Sequence, residues 1–132
     1  MCGIVGIWSN NNIEVQEEYV DIILEKQYHR GPDNSSKTTI HEITLGHNRL
    51  AIIDLNQNAN QPFVSNCGRY NVIFNGEIYN YLELKNDLDY EFRTHSDTEV
   101  LIASYIKYGE KCIEKFNGMF SFALYDRQEK TL

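Results

Sequence analysis

The sequence predicts a mixed α+β domain built largely on antiparallel sheet. Short apolar or alternating runs read as strands, and longer amphipathic segments read as helices. The two kinds follow one another without the regular strand–helix–strand alternation of a parallel sheet. The 132 residues, 42% of them hydrophobic and with nine tyrosines and six phenylalanines, suffice for one domain spanning 1–132 that buries roughly two thirds of its unfolded surface.

Taken in order, Gly3 to Trp8 is an apolar run that predicts a buried strand, which the three asparagines at 10–12 break. EVQEEYVDIILEKQYHR predicts a helix with Val20, Ile23, Leu24, Gln27 and Tyr28 on one face and acids toward its start. Gly31-Pro32 stops it. Thr38 to Ile43 and Leu45 to Ile53 read as strands around Gly46, and residues 54–63 (DLNQNANQPF) as a loop. Tyr70, Val72 and Phe74 alternate with Asn71 and Ile73 in a further strand. IYNYLELKNDL predicts a helix. SDTEVLIASYIKYG predicts another, with capping-box spacing between Ser96 and Glu99 and a terminator at Gly109. Met119 to Tyr125 reads as a strand of large side chains, and Thr131-Leu132 as the start of a returning strand, so that the domain is expected to be truncated at its C-terminal end.

A net charge of −7 argues against a phosphate-backbone binder, so no nucleic-acid partner is expected. No apolar run reaches the roughly 18 residues of a membrane span, and the start lacks the basic end and apolar stretch of a signal peptide. Cys2, Cys67 and Cys112 are widely spaced, without the pattern of a zinc site. An odd cysteine count without a secretory signal fits the cytoplasm.

Five stretches are candidates for chemistry. Cys2 directly follows Met1, a poor position for a structural residue because chain ends fray, and a good one for a nucleophile beside a free amine. In NGEIYNY (75–81), Asn-Gly ordinarily marks a hairpin turn. Here a helix is expected on its far side, which favours a strand-to-helix elbow whose Gly76 lets a backbone N–H approach a ligand and whose Asn75 offers an amide donor. Arg49, in GHNRLAII, shares a strand face with His47. It reads either as a solvent-facing charge or as a planar clamp for a carboxylate. Asp97, in THSDTEV, reads either as an acid complementing the helix dipole or as an acceptor for a ligand ammonium. Glu99 is accounted for as the reciprocal cap of Ser96. In HRGPD (29–33), Arg30 and Asp33 are placed to pair or to wall a site. The four histidines show no ligand spacing, and none is assigned as a general base.

Together MCGIVGI, HRGPD, HNRLAIIDL, QPF, NGEIYNY, THSDTEV and FNGMFSFALYD resemble, in order and over nearly the whole chain, the glutaminase domain of glutamine-hydrolysing asparagine synthetases, a branch of the class II glutamine amidotransferases. The resemblance implies an N-terminal-nucleophile hydrolase fold, two antiparallel sheets between helical layers (αββα). It implies removal of Met1, attack of the Cys2 thiol on the side-chain amide of L-glutamine, and proton transfer by the α-amine of Cys2. An α-amine, with a reference pKa of about 7.7–8.0, is well matched to a thiol at about 8.5. Asn75 and Gly76 would form the oxyanion hole and Arg49 would hold the α-carboxylate. Asp97, with Glu77, would hold the α-ammonium, and backbone groups from Leu50 to Ile53 would line the pocket. No cofactor or metal is implied for this half-reaction. ATP and magnesium belong to a synthetase domain that the resemblance places in the parent chain and that these residues do not include. The family context allows a homodimer. Two other readings stay open, a catalytically silent domain that binds glutamine or a partner, and a hydrolase of another amide.

Overall fold

The computed structural model describes residues 2–9 and 13–132. The apolar run after Cys2 forms β1 (Gly3–Trp8). It is an edge strand, with only Gly3 buried and Trp8 46% exposed, which corrects the expectation of a buried one. The break expected at 10–12 lies outside the described residues. Helix α1 (Ile13–Lys26) buries Gln16, Val20 and Leu24. Tyr28, expected on that face, stands 57% exposed in a 3₁₀ turn over Tyr28–Arg30.

Strands β2 (Asn34–Ile40) and β3 (Ile43–Arg49) form a hairpin. The turn falls at residues 41–42, with His41 at φ 50°, whereas the sequence reading placed a break near Gly46. Gly46 lies inside β3 for a packing reason. A Cβ there would fall 2.8 Å from both Val20 Cγ1 of α1 and Val5 Cγ1 of β1, so the glycine lets the helix lie close on the sheet. β3 ends at Arg49 and does not run to Ile53. The first sheet has the order β1-β3-β2, all antiparallel, with every residue of the central β3 buried.

The loop expected at 54–63 contains a 3₁₀ turn (Gln57–Ala59) and leads into the two-residue strand β4 (Phe63–Val64). The second sheet is β4-β5-β6, with β5 (Tyr70–Ile78) central and β6 (Gly118–Asp126) antiparallel to it. Asn75 and Gly76 are in mid-strand, paired with Ser121 and Phe120. The expected elbow at Asn-Gly is therefore not there, and the six-residue helix α2 begins only at Tyr81 (Tyr81–Asn86). Helix α3 (Asp97–Tyr108) starts as expected at Ser96, whose side chain accepts from the Glu99 N–H, and ends at Gly109, with φ 61°. Thr131 bridges back to Asp126.

The two sheets face each other through Ile40, Ile43 and Leu45 on one side and Ile73 and Tyr125 on the other. α1 covers the outside of the first sheet. Leu101 and Ile102 of α3 pack on Phe63, Val72, Phe74, Ile78 and Leu124 of the second. Each fully buried side chain of this kind is worth about 1.5–3 kcal/mol. The order is thus helix, sheet, sheet, helix. The alternation along β3 and β5 that sends Leu45 and Ile73 into the middle also sends Arg49 and Asn75 toward the same interior, four and two residues further along respectively.

Candidate active site

The C-terminal ends of β3 and β5, the residue before β1 and the N-terminus of α3 meet around a cavity of about 220 Å³. Its wall contains the residues given a role in glutamine hydrolysis, namely Cys2, Arg49, Leu50, Ile53, Asn75, Gly76, Glu77 and Asp97, whereas Arg30 and Asp33 are not part of it. Gln61, Asp54, Ser96 and Thr98 also line it, with Ile52, Tyr79 and Met119. Of these, Ile52 falls in the segment expected to line the pocket and Ser96 reads from the sequence as a helix cap. Gln61, Asp54, Thr98, Tyr79 and Met119 have no role assigned from the sequence, because local periodicity does not reveal where distant segments converge.

Cys2 is half-buried at the mouth of β1. The Leu50 N–H points at its sulfur at 3.4 Å, and the sulfur lies 3.8 Å from the Leu50 carbonyl. Arg30 Nε donates to the Cys2 carbonyl at 3.4 Å. Met1 lies outside the described residues. Arg30 and Asp33 do not pair. Asp33 Oδ2 instead accepts from the Ala51 N–H at 2.8 Å, and its own N–H donates to the Arg49 carbonyl at 3.0 Å. A Cβ on Gly31 would strike the backbone of Asn48 and Arg49. HRGPD is thus a mould pressed against the end of β3, with one arm on Cys2 and one on the segment leaving the strand.

Arg49 is buried, which removes the reading of a solvent-facing charge. Nη1 donates to the Asn56 carbonyl at 2.9 Å and to Asn60 Oδ1 at 2.7 Å, and Nη2 donates to the Asp54 carbonyl. The loop at 54–60 therefore wraps one side of the guanidinium. Of its five N–H donors, Nε–H and one Nη2–H have no acceptor among the described residues. That edge can take a carboxylate. Asp54 ties this loop to the opposite wall. It accepts from the His95 N–H and the Asn56 N–H, both at 2.8 Å, and these bonds, the His95 one foremost, hold its carboxyl below the usual range.

At the other wall, the free edge of β5 faces the cavity. Just outside the strand, the Arg69 carbonyl and the Tyr79 N–H bond on the β6 side, to Arg127 and Asn117. Odd-numbered residues thus turn their backbone groups to β6, and even-numbered ones, Gly76 included, turn theirs away from it. Why position 76 is glycine is a matter of the sheet. Its φ is 155°, and a Cβ would meet the Met119 carbonyl and come within 2.5 Å of Phe120 Cα. The sheet is thus a reason for glycine here beside the ligand approach expected from the sequence. Asn75 Oδ1 is buried with no hydrogen-bond partner among the described residues.

Asp97 is 5% exposed, and its Oδ2 accepts from the Ile78 N–H at 3.0 Å. Burial, reinforced by the Glu77 charge, outweighs its bonds to backbone N–H groups and pushes its pKa up. Among the described residues no Lys, Arg or His pairs with it. A buried carboxylate in this state is complementary to a small cation. Glu99 does a different job from the one expected. Ser96 caps the Glu99 N–H at 3.3 Å, but the fully buried Glu99 carboxylate accepts from the N–H groups of Arg93 and Thr94 and from the Thr94 hydroxyl. The Ser96 N–H goes to Thr94 Oγ1. The loop at 93–96, which presents Asp97 to the cavity, is thereby folded around Glu99.

The cavity thus offers a thiol, a guanidinium edge, the backbone of Gly76 and the carboxyl groups of Asp54, Glu77 and Asp97. This set can hold a molecule that carries a carboxylate, an ammonium and an electrophilic carbon. Comparison with known proteins agrees. The glutamine amidotransferase domain family model matches residues 1–132. The chain is 39% identical over 138 residues to a glutamine-hydrolysing asparagine synthetase of Bacillus subtilis, covering 100% of the chain and 22% of that protein. It is 35% identical over 130 residues to one of Saccharomyces cerevisiae, covering 98% and 23%. It is also 38% identical over 124 residues to an amidase of Gibberella zeae, covering 91% and 18%. The chain spans about a quarter or less of the length of these relatives. It belongs to the glutamine amidotransferase domain family.

Proposed function

We propose that this domain hydrolyses the side-chain amide of L-glutamine to glutamate and ammonia. The observation that carries the reading is that Cys2, Arg49, Glu77 and Asp97 line one cavity, which supports a thiol set opposite groups for the two ends of an amino acid. With Met1 removed, the Cys2 amine takes the thiol proton and the sulfur attacks the amide carbon. The tetrahedral oxyanion is met by the Gly76 N–H and the Asn75 amide, each donor worth about 2.7–4 kcal/mol. The C–N bond breaks, the amine's proton leaves with ammonia, and water hydrolyses the thioester to glutamate. Arg49 holds the α-carboxylate. Asp97, with Glu77, holds the α-ammonium, which relieves the buried charge. Gripping both ends sets the amide carbon beside the sulfur, an advantage of the kind measured as effective molarity. Asparagine, one methylene shorter, would leave its amide out of reach.

The helix–sheet–sheet–helix order and the antiparallel pairing of both sheets support an N-terminal-nucleophile hydrolase fold. The length of the asparagine synthetases it resembles supports a parent protein in which a further domain, using ATP and magnesium, transfers the ammonia to aspartate. The proposed glutaminase step itself runs on this chain's own side chains and uses neither.

Three measurements test the reading. Intact mass should show loss of one methionine from the purified protein. A glutamine-mimicking electrophile should label Cys2, and Cys2→Ala should abolish ammonia release while still binding glutamine. A protein that keeps Met1, resists the reagent and releases ammonia equally well as Cys2→Ala would refute it.

A further inference from the structure

Among the described residues, no strand covers the edge of β5 that faces the cavity. β4 pairs only with Val72 and Asn71, so from Phe74 onward the outward N–H and C=O groups need other partners. Two side chains supply them. The Phe74 N–H donates to Gln61 Oε1 at 2.6 Å, and the Phe74 carbonyl accepts from His47 Nε2 at 3.1 Å. Gln61 is in turn anchored, its Nε2 donating to Thr98 Oγ1 at 3.2 Å, one residue past Asp97. The next outward N–H is that of Gly76, and the one after it, Ile78, is taken by Asp97. Along this edge the N–H groups at 74 and 78 are occupied by side chains, and the one between them faces the cavity.

We propose that His47 and Gln61 are positioning residues, which stand in for a neighbouring strand beside Phe74 and thereby hold the following peptides so that the Gly76 N–H points at the reacting oxygen. This rests on the glutaminase reading above. A carbonyl only accepts, so His47 carries its proton on Nε2. His47 is fully buried, and burial pushes its pKa down to about 4, keeping the ring neutral in the working range. Its Nδ1 is sealed among the described residues without a partner. The ring therefore has no free proton to exchange with substrate. Its one directed bond goes to the backbone that leads to Gly76.

The test combines kinetics with amide exchange. His47→Leu and Gln61→Met each remove one clamp. Each is expected to lower kcat for glutamine about 10- to 100-fold with KM within twofold, because a misaimed oxyanion donor weakens the transition state and not substrate binding. His47→Gln, which keeps an N–H at similar reach, should recover most of the loss, a rescue that lost packing alone would not produce. In a Cys2→Ala background, where no turnover occurs, Gln61→Met should speed hydrogen exchange of the Phe74 amide at least tenfold and leave the Ile78 amide unchanged. Should His47→Leu fail to fold, Gln61→Met and His47→Gln carry the test. Variants with unaltered kcat and Phe74 exchange, in a protein whose unmodified form is active, would overturn this inference alone. An unmodified protein that releases no ammonia would overturn the glutaminase reading, and the oxyanion role of the clamp with it.

Discussion

The sharpest consequence of the site concerns Asp97→Asn, a nearly isosteric change that removes a charge and keeps an oxygen for the Ile78 N–H, now 3.0 Å from Oδ2. Two ideas predict opposite signs for stability. If Asp97 only complements the dipole of α3, asparagine should cost about 0.3–1 kcal/mol. The structure favours the other sign. The carboxylate is 5% exposed, and burial with the Glu77 charge raises its pKa despite its backbone bonds. An acid whose pKa is higher folded than unfolded binds its proton more tightly in the folded state. Its charged form therefore costs stability at neutral pH, and the cost fades as pH falls toward the unfolded value of about 3.9. Asp97→Asn should melt at the same temperature as the parent protein or higher at pH 7, with the advantage gone near pH 4. Comparison with the parent at each pH is essential, because Asp54 and Asp126 have lowered pKa values and lose their contributions as pH falls. Glutamine binding should move the other way. A hydrogen bond to a charged partner is worth about 1.5–3 kcal/mol, so affinity should fall about 10- to 150-fold. Thermal melts at the two pH values, with calorimetric titration of glutamine in a Cys2→Ala background, measure both. A variant clearly less stable at pH 7 that binds glutamine normally would show Asp97 to be a helix-capping acid and refute the argument.

Arg49→Lys should raise the KM for glutamine more than tenfold and lower stability by about 1–2 kcal/mol. One ammonium cannot reach the Asn56 carbonyl, Asn60 Oδ1 and the Asp54 carbonyl together and still offer a planar edge. Steady-state kinetics and a denaturant melt decide, and an unchanged KM would contradict the carboxylate clamp. Gly76→Ala should destabilise by at least about 1–3 kcal/mol, since the new methyl meets the β6 backbone at Met119 and Phe120. A denaturation midpoint equal to that of the parent would show that β6 yields at no cost.

Much of the molecule follows from local pattern. The strand at Gly3–Trp8, helices α1 and α3, and the stop at Gly109 are legible because burial periodicity, capping oxygens and positive-φ glycine act within a few residues. The α+β class was legible too, and the eight candidate residues named through the resemblance, from motifs such as HNRLAIIDL and NGEIYNY, line one cavity. What the chain alone misassigned depends on contacts between distant segments. Gly46 and Gly76 look like turns, yet each is glycine because another element lies against it, α1 in one case and β6 in the other. Glu99 has the spacing of a cap, yet its carboxylate folds the loop ahead of it. His47 and Gln61 carry no local signal, since their role exists only where β4 ends and leaves Phe74 uncovered. The sequence by itself determined the main helices and strands and which residues are candidates for the chemistry. Only tertiary structure decided which polar groups would be left facing the cavity, because that depends on which backbone donors and acceptors the rest of the fold has already satisfied.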